Sequence, residues 1–285
     1  LPTTEAIRAR IEDSIEKMPS LPTTVAKVLQ IANDLNSSAR DLLTVIQMDP
    51  VLTAKVLKLI NSAFFALPNK VSLKQAIVLL GINTLKNIAL SSAIIGYMGK
   101  SKVQVRAFDQ HKFWEHSLGT AIAAKRISRR VVTDPQQWEE YFVAGLVHDI
   151  GKVVIALSLP TMLAKSIMVA EEKKITSSLA EREVIGLDHS EVGAMLARKW
   201  RLSESLINAT LHHHGPTEAD DRLAWVVHTA NYYVLSAGYA NSGDCAEPML
   251  DPKAYQVLSL APESFAEIMG NLGEEIGKAS TFLTS

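Results

Sequence analysis

The chain has 285 residues, 47% hydrophobic, 21% charged and 6% aromatic, enough for one large domain or two modest ones around a sizeable core. Its 29 Lys and Arg against 30 Asp and Glu leave a formal net charge of −1, which excludes the whole-protein basic field of a nucleic-acid binder. Cys245 is the single cysteine, so an intramolecular disulfide framework and a cysteine-cluster zinc site are excluded, and a reducing, cytoplasmic compartment is expected.

The N-terminal stretch LPTTEAIRARIEDSIEKMP carries Glu5, Arg8, Arg10, Glu12 and Asp13 where a signal peptide needs an apolar run, so no secretory signal is expected. From Pro22, the residues Val25, Val28, Leu29, Ala32 and Leu35 recur three and four apart and predict an amphipathic helix, which Asn36-Ser37-Ser38 ends. Ser38 or Asp41 caps the next helix, through Leu42, Val45 and Ile46. It stops at Asp49-Pro50, because proline disfavours helical geometry in the residue before it, and Asp49 then caps a helix from Pro50 to about Ile60. After a loop at Leu67-Pro68-Asn69-Lys70, Ser72 opens a helix ending at Gly81, and Asn83 starts another toward Tyr97. The polar Gly99-Lys100-Ser101-Lys102 marks a boundary, so residues 1–102 are expected to form an N-terminal helical bundle and residues 103–285 a second helical domain. In the second part helices are predicted near 108–131, 135–148, 151–172, 176–185, 189–200, 203–213, 219–236 and 262–281, with 240–252 as a loop. No alternation is long enough for a sheet, so the fold class is all-α. The most apolar stretches are interrupted by Asn83, Lys86 and Asn87 and by Pro160 and Lys165, and no transmembrane helix is expected.

Seven of the eight histidines follow residue 115: His116, His148, His189, His212, His213, His214 and His228. His148-Asp149 interrupts the apolar run from Val143 to Val154, and helical spacing puts Asp149 on one inward face with Trp138, Phe142 and Gly145. An ionised carboxylate there is costly unless it is paired, hydrogen-bonded or bound to metal. One reading has Asp149 capping the following helix and His148 bonded to backbone; the other makes both metal ligands. His116 shares a face with Thr120, Ala124 and Ile127, His189 heads the stripe Val192, Gly193, Leu196 and Trp200, and His213 and His214 end the face of Leu206, Ile207 and Thr210. Asn231 lies among Val227, Ala230 and Val234 and needs a partner. Each histidine alone reads as a hydrogen-bonded core or surface residue. Together with an Asp in an apolar run they read as a divalent metal site, with iron, manganese, nickel or zinc compatible with imidazole and carboxylate.

His116, His148-Asp149, His189, His213-His214 and Asn231 resemble the ligand pattern of the HD superfamily of metal-dependent phosphohydrolases, and His148-Asp149-Ile150-Gly151-Lys152 resembles its HD-GYP branch. Met18-Pro19-Ser20-Leu21-Pro22, Asp49-Pro50 with Leu52 to Leu59, Asn61-Ser62-Ala63 and Ala76 to Gly81 are similar to the HDOD family, the HD-related output domain of bacterial signalling proteins. The resemblance spans roughly Ile11 to Tyr239 and implies a helical bundle packed on an HD-like domain. Carried over, it implies His116, His148 and Asp149 as inner ligands, His189, His213 and His214 on a second metal, Asp149 bridging, and Lys152 contacting a phosphate. One or two divalent ions are implied, iron or manganese ahead of nickel or zinc. Such a pair clamps a phosphoryl oxygen and stabilises the leaving oxygen.

Two departures stand out. The final HD Asp is Asn231, which keeps an amide oxygen but loses the charge, so weaker metal binding is expected. Gly215-Pro216-Thr217 follows His213-His214 without the Gly-Tyr-Pro segment, and Lys112 stands where HD-GYP enzymes place a glutamate, so cyclic-dinucleotide hydrolysis is not expected. The leading expectation is a signalling module with a retained metal, a protein partner and a phosphate-containing ligand. The alternative is an active phosphohydrolase with Asp149 and Lys152 as catalytic residues, and a third reading is an interaction scaffold with vestigial histidines. Neither membrane nor nucleic acid is expected as a partner. Phe64-Phe65 is read as a plug between the two halves, Lys125 to Arg130 as a solvated basic helix face, His212 and His228 as supporting or surface residues, and Cys245 as inert.

Overall fold

The computed structural model describes residues 3–18, 20–33, 37–61, 69–98, 103, 105, 108–218, 220–239 and 243–280. Every regular element among them is helical. The loop residues Leu67-Pro68, the aromatic pair Phe64-Phe65 and the boundary Gly99-Lys100-Ser101-Lys102 lie outside the described residues.

The first half follows its caps. α2 (Thr23–Asn33) precedes α3 (Ala39–Gln47), where the Ser38 hydroxyl and the Asp41 carboxylate bond each other's backbone N–H in a reciprocal box. Asp49 accepts from the N–H groups of Val51 and Leu52 to start α4 (Pro50–Ile60), with Pro50 in the first turn. Ser72 and Gln75 form a second box on α5 (Leu73–Leu80), which ends at Gly81 with φ +85°, a conformation that favours glycine. α6 (Ile82–Met98) is buried without interruption from Asn87 to Ile95, packing on α2, α4 and α5 and, across the joint, on α8 (Trp138–Val147). Its apolar run is thus the centre of the first half.

One helix there is absent from the sequence reading. α1 (Thr4–Lys17) starts on the Thr3 hydroxyl and buries Ile7, Ile11 and Ile15. That face packs against α9 (Ile150–Ser158) and α12 (His189–Lys199). Lys199 Nζ donates to the carbonyl of Ile15 at 2.6 Å and fixes the contact.

The second half winds around α7 (Gln110–Val131), which packs on α8, α14 (Arg222–Ser236), α16 (Pro262–Met269) and α17 (Leu272–Ser280). The helix expected over 151–172 is two helices, α9 and α10 (Pro160–Lys173). Pro160 has no N–H to continue the ladder, and Leu159 sits at φ −134°, ψ 53°. The helix expected over 262–281 is likewise divided, at Gly270 with φ +40°. α11 (Ser177–Ile185) and α13 (Glu204–His212) lie as expected to within a few residues, whereas the short α15 (Lys253–Leu258) follows the 243–252 loop unannounced by the sequence. The run Pro135–Ser158 is long and apolar enough to cross a membrane by composition, but 94% of its most apolar window is buried in the protein. It supplies the core.

The basic face expected to be solvated is so only at its end, where Arg129 and Arg130 are exposed in the last turn of α7. Lys125 is buried in an ion pair with Glu139. Arg126 donates to the carbonyl of Ile268 at 3.2 Å and to Asn271 Oδ1 at 2.8 Å and pairs with Glu275, while Arg130 pairs with Glu267. α7 is surrounded by helices, so its cations clasp the C-terminal segment onto it.

Candidate metal centre

The histidines converge because helix ends converge. His116 lies inside α7; His148 closes α8 and Asp149 opens α9; His189 is the first residue of α12; His213 and His214 follow α13. Two glycines permit this approach. A Cβ on Gly145 would meet the Thr120 carbonyl oxygen at 2.7 Å, and one on Gly151 would meet the His189 carbonyl oxygen at 1.9 Å. Only backbone without a side chain brings α8 onto α7 and α9 onto α12 this closely.

Asp149 occupies the N-cap position of α9, yet its side chain makes no capping hydrogen bond. It is turned into the cluster instead. Oδ1 lies 3.1 Å from His189 Nε2, 3.4 Å from His213 Nε2 and 3.5 Å from His148 Nε2, and Oδ2 lies 3.8 Å from His116 Nε2. Ligand atoms of Asp149, His189, His213 and His214 all lie within 4.8 Å of one another, as do those of His116, His148 and Asp149. Asp149 belongs to both groups. His214 Nε2 is 2.8 Å from His189 Nε2.

The donor set fits a divalent cation. His148 Nδ1 donates to the Gly145 carbonyl and His213 Nδ1 to the Thr210 carbonyl, both at 2.7 Å. Each bond fixes the neutral tautomer whose bare Nε2 lone pair points inward. Both Nε2 atoms are buried and have no hydrogen-bond partner among the described residues. Such orphaned acceptors carry a desolvation cost of about 1–3 kcal/mol each, which coordination would relieve.

The electrostatics favour neutral His148 and His214 and an ionised Asp149, but a protonated His189 that must release its Nε2 proton to ligate. Burial holds the His148 and His214 rings well below the usual imidazole range, keeping them neutral. Burial alone would raise the Asp149 carboxyl, but the Lys152 ammonium 2.9 Å from Oδ2, followed by His148 and His189, holds it well below the carboxylate range. Burial would likewise lower Lys152, and Asp149, then Asp244, raise it above its ordinary value. Burial also disfavours the His189 cation and Lys152 adds to that, but the carboxylates of Glu181 and Asp149 together outweigh them and the ring is pushed up to about 10.

Three supporting residues were not singled out as site residues from sequence. Glu181 Oε2 accepts from His189 Nδ1 at 2.6 Å and from the His189 backbone N–H at 2.7 Å, orienting that ring from a buried position on α11. Asp244 lies 3.6 Å from Lys152 Nζ. His228, read earlier as a supporting or surface residue, is buried and donates to the carbonyl of His213 at 2.8 Å. A glutamate sharing the face of Ser177, Ser178 and Ile185 was the available signal for Glu181; a loop aspartate such as Asp244 offers none. Asn231 is buried, and its Oδ1 has no partner among the described residues. It lines a cavity of about 480 Å³ together with His213, His214, Asp244, Leu235 and Met249. The centre therefore has an anteroom with a mixed polar and apolar wall.

Comparison with known proteins identifies the family and the fold. The HDOD domain profile matches residues 18–216. A Geobacter sulfurreducens HDOD domain protein of unknown function shares the fold with a TM-score of 0.80 over 97% of this chain and 99% of its own, at 24% identity. A Shewanella amazonensis SB2B protein designated a candidate phosphohydrolase shares it with a TM-score of 0.76 over 96% of this chain and 98% of its own, at 26% identity. An uncharacterized protein of Treponema pallidum (strain Nichols) is 26% identical over 231 residues, which make up 80% of this chain and 44% of that protein. The chain thus spans less than half the length of the curated relative it matches. With the profile covering well over half of the sequence and an all-α fold of helical bundle on HD-like half, the chain belongs to the HDOD family.

Proposed function

We propose that the chain is the regulatory module of a cytoplasmic bacterial signalling protein. Its HD-like half, residues 103–285, holds one or two divalent cations, iron or manganese before nickel or zinc, and its N-terminal bundle, residues 1–102, relays the state of that centre to a protein partner. His116 and His148 serve one cation position, His189, His213 and His214 the other, and Asp149 is common to both. The observation that carries the reading is the buried, converging donor set, beside which Asn231, the residue that the HD resemblance aligns with the final carboxylate, is buried with an unpartnered Oδ1 among the described residues. Ligation is retained while one negative charge is missing, a state suited to holding an ion and sensing an anion. A bound divalent cation supplies Lewis acidity toward a phosphoryl oxygen. Lys152 keeps Asp149 oriented and offers an ammonium to a phosphate-containing ligand.

The test is elemental mass spectrometry of the purified protein beside the His148→Ala/Asp149→Ala variant, with phosphodiester and nucleotide hydrolysis assayed in parallel. The expected result is about one or two metals per chain in the native protein, none in the variant, and no turnover. Turnover lost in His148→Ala would overturn the regulatory reading.

A second reading, a working phosphohydrolase with Asp149 and Lys152 as catalytic residues, is favoured by the cavity of about 480 Å³ opening on His213 and His214. The name of the 26%-identical Shewanella protein points the same way. It predicts hydrolysis by the metal-loaded native protein above an Asp149→Ala control. If only Asn231→Asp hydrolyses, the regulatory reading stands and the missing carboxylate is its cause.

A further inference from the structure

Beyond the family-matched residues the chain returns to the metal centre. The segment 243–251 is held on either side of it. Asp244 Oδ1 accepts from the Ser177 N–H at 2.8 Å and from the Ser177 hydroxyl at 2.9 Å, while Oδ2 lies 3.6 Å from Lys152 Nζ. At the other end the Asp251 N–H donates to His228 Nε2 at 3.3 Å, and His228 bonds the backbone of His213.

Lys152 therefore faces two carboxylates. One belongs to Asp149, 2.9 Å away, which is part of both ligand groups; the other belongs to Asp244, which is part of neither. An ammonium and a divalent cation on the same carboxylate repel each other, strongly so where water is excluded. The Lys152 side chain is 2% exposed and cannot take its charge into solvent. It does have a long, flexible stem, and a second carboxylate is within reach.

We propose that Asp244 is the exchange partner of Lys152: when a divalent cation binds at Asp149, the ammonium leaves Asp149 Oδ2 for Asp244 Oδ2, making Asp244 a positioning residue for the metal centre. The inference rests on the metal-centre reading above. The two hydrogen bonds from Ser177 anchor Oδ1 and leave Oδ2 toward the ammonium, so the receiving carboxylate is already in place.

The test is the affinity for Mn(II), read by electron paramagnetic resonance of the free ion, in four proteins: native, Asp244→Asn, Lys152→Gln and the double variant. The Asn amide oxygen can still accept from Ser177, so the segment keeps its anchor. Asp244→Asn is expected to weaken Mn(II) binding by about 10–100-fold with Lys152 present, and by less than about 2-fold in the Lys152→Gln background. An unchanged affinity in Asp244→Asn, or an equal loss in both backgrounds, overturns the exchange while leaving the metal centre intact. A native protein that takes up no Mn(II) overturns the metal reading and the exchange together. Should Lys152→Gln fail to fold, the Mn(II)-loaded crystal structure decides: Lys152 Nζ within hydrogen-bond distance of Asp244 and off Asp149 supports the proposal, and Lys152 remaining on Asp149 sinks it.

Discussion

Gly151 and His189 touch backbone to backbone: a Cβ on Gly151 would lie 1.9 Å from the carbonyl oxygen of His189. The helix carrying Asp149 and the helix carrying His189 are therefore held together by the absence of a single methyl group. Gly151→Ala must push α9 off α12, with an overpacking cost of about 1–3 kcal/mol or more. Chemical denaturation of the variant should show that loss, and its metal content should fall because Asp149 and His189 separate. Native stability with full metal content would contradict the contact.

Glu181 fixes the His189 ring through Nδ1 and the backbone N–H. Glu181→Gln removes the charge that favours this orientation, and metal affinity should drop by about 10–100-fold. Competition with a chelator of known affinity measures it.

The Lys125–Glu139 pair is buried on both sides. Removing one partner strands a charge in the core, so Lys125→Met alone should cost about 3–5 kcal/mol. The double variant Lys125→Met/Glu139→Gln leaves no buried charge and should recover most of that. Urea unfolding of the three proteins gives the comparison, and a double variant no better than the single would contradict it.

Asp188 caps α12 and takes hydrogen bonds from Ser178, Ser190 and Arg182. Burial alone would raise its carboxyl, but the charge of His189 and these bonds hold it well below the usual range. The folded state thus favours the ionised form. Its contribution is full above the unfolded value of about 3.9 and is lost as pH falls through the lower folded value. Asp188→Asn should therefore be less stable than the native protein by about 1–3 kcal/mol at pH 6, with the gap closing as pH is lowered below about 4.

What the sequence made legible follows from the range of each interaction. The starts of α3, α4 and α5 were readable because Ser38, Asp49-Pro50 and Ser72 act on the next three residues. The break at Leu159 was equally local, and Pro160 was noted only as an interruption of an apolar run. His148-Asp149 stood out because charge inside such a run is rare. Their companions His116, His189, His213 and His214 were legible only as a group, because each alone is an ordinary polar residue on an amphipathic helix, and the division into two ligand groups came from the family resemblance. Glu181 and Asp244 act across 8 and 67 residues of chain, on His189 and Ser177 respectively, and nothing in their neighbours announces it. The clasp of Arg126 on the C-terminal helices spans more than 140 residues and was invisible for the same reason.

The placement of α1 makes the two halves interleaved rather than serial. Its isoleucine face closes a groove on α9 and α12, so a fragment beginning at 103 would open that groove to water along the two helices that present Asp149 and His189. The same contact is a mechanical shortcut. A pull or twist applied to α1 reaches both helices directly, whereas α6 of the bundle packs on α8, the helix that ends at His148.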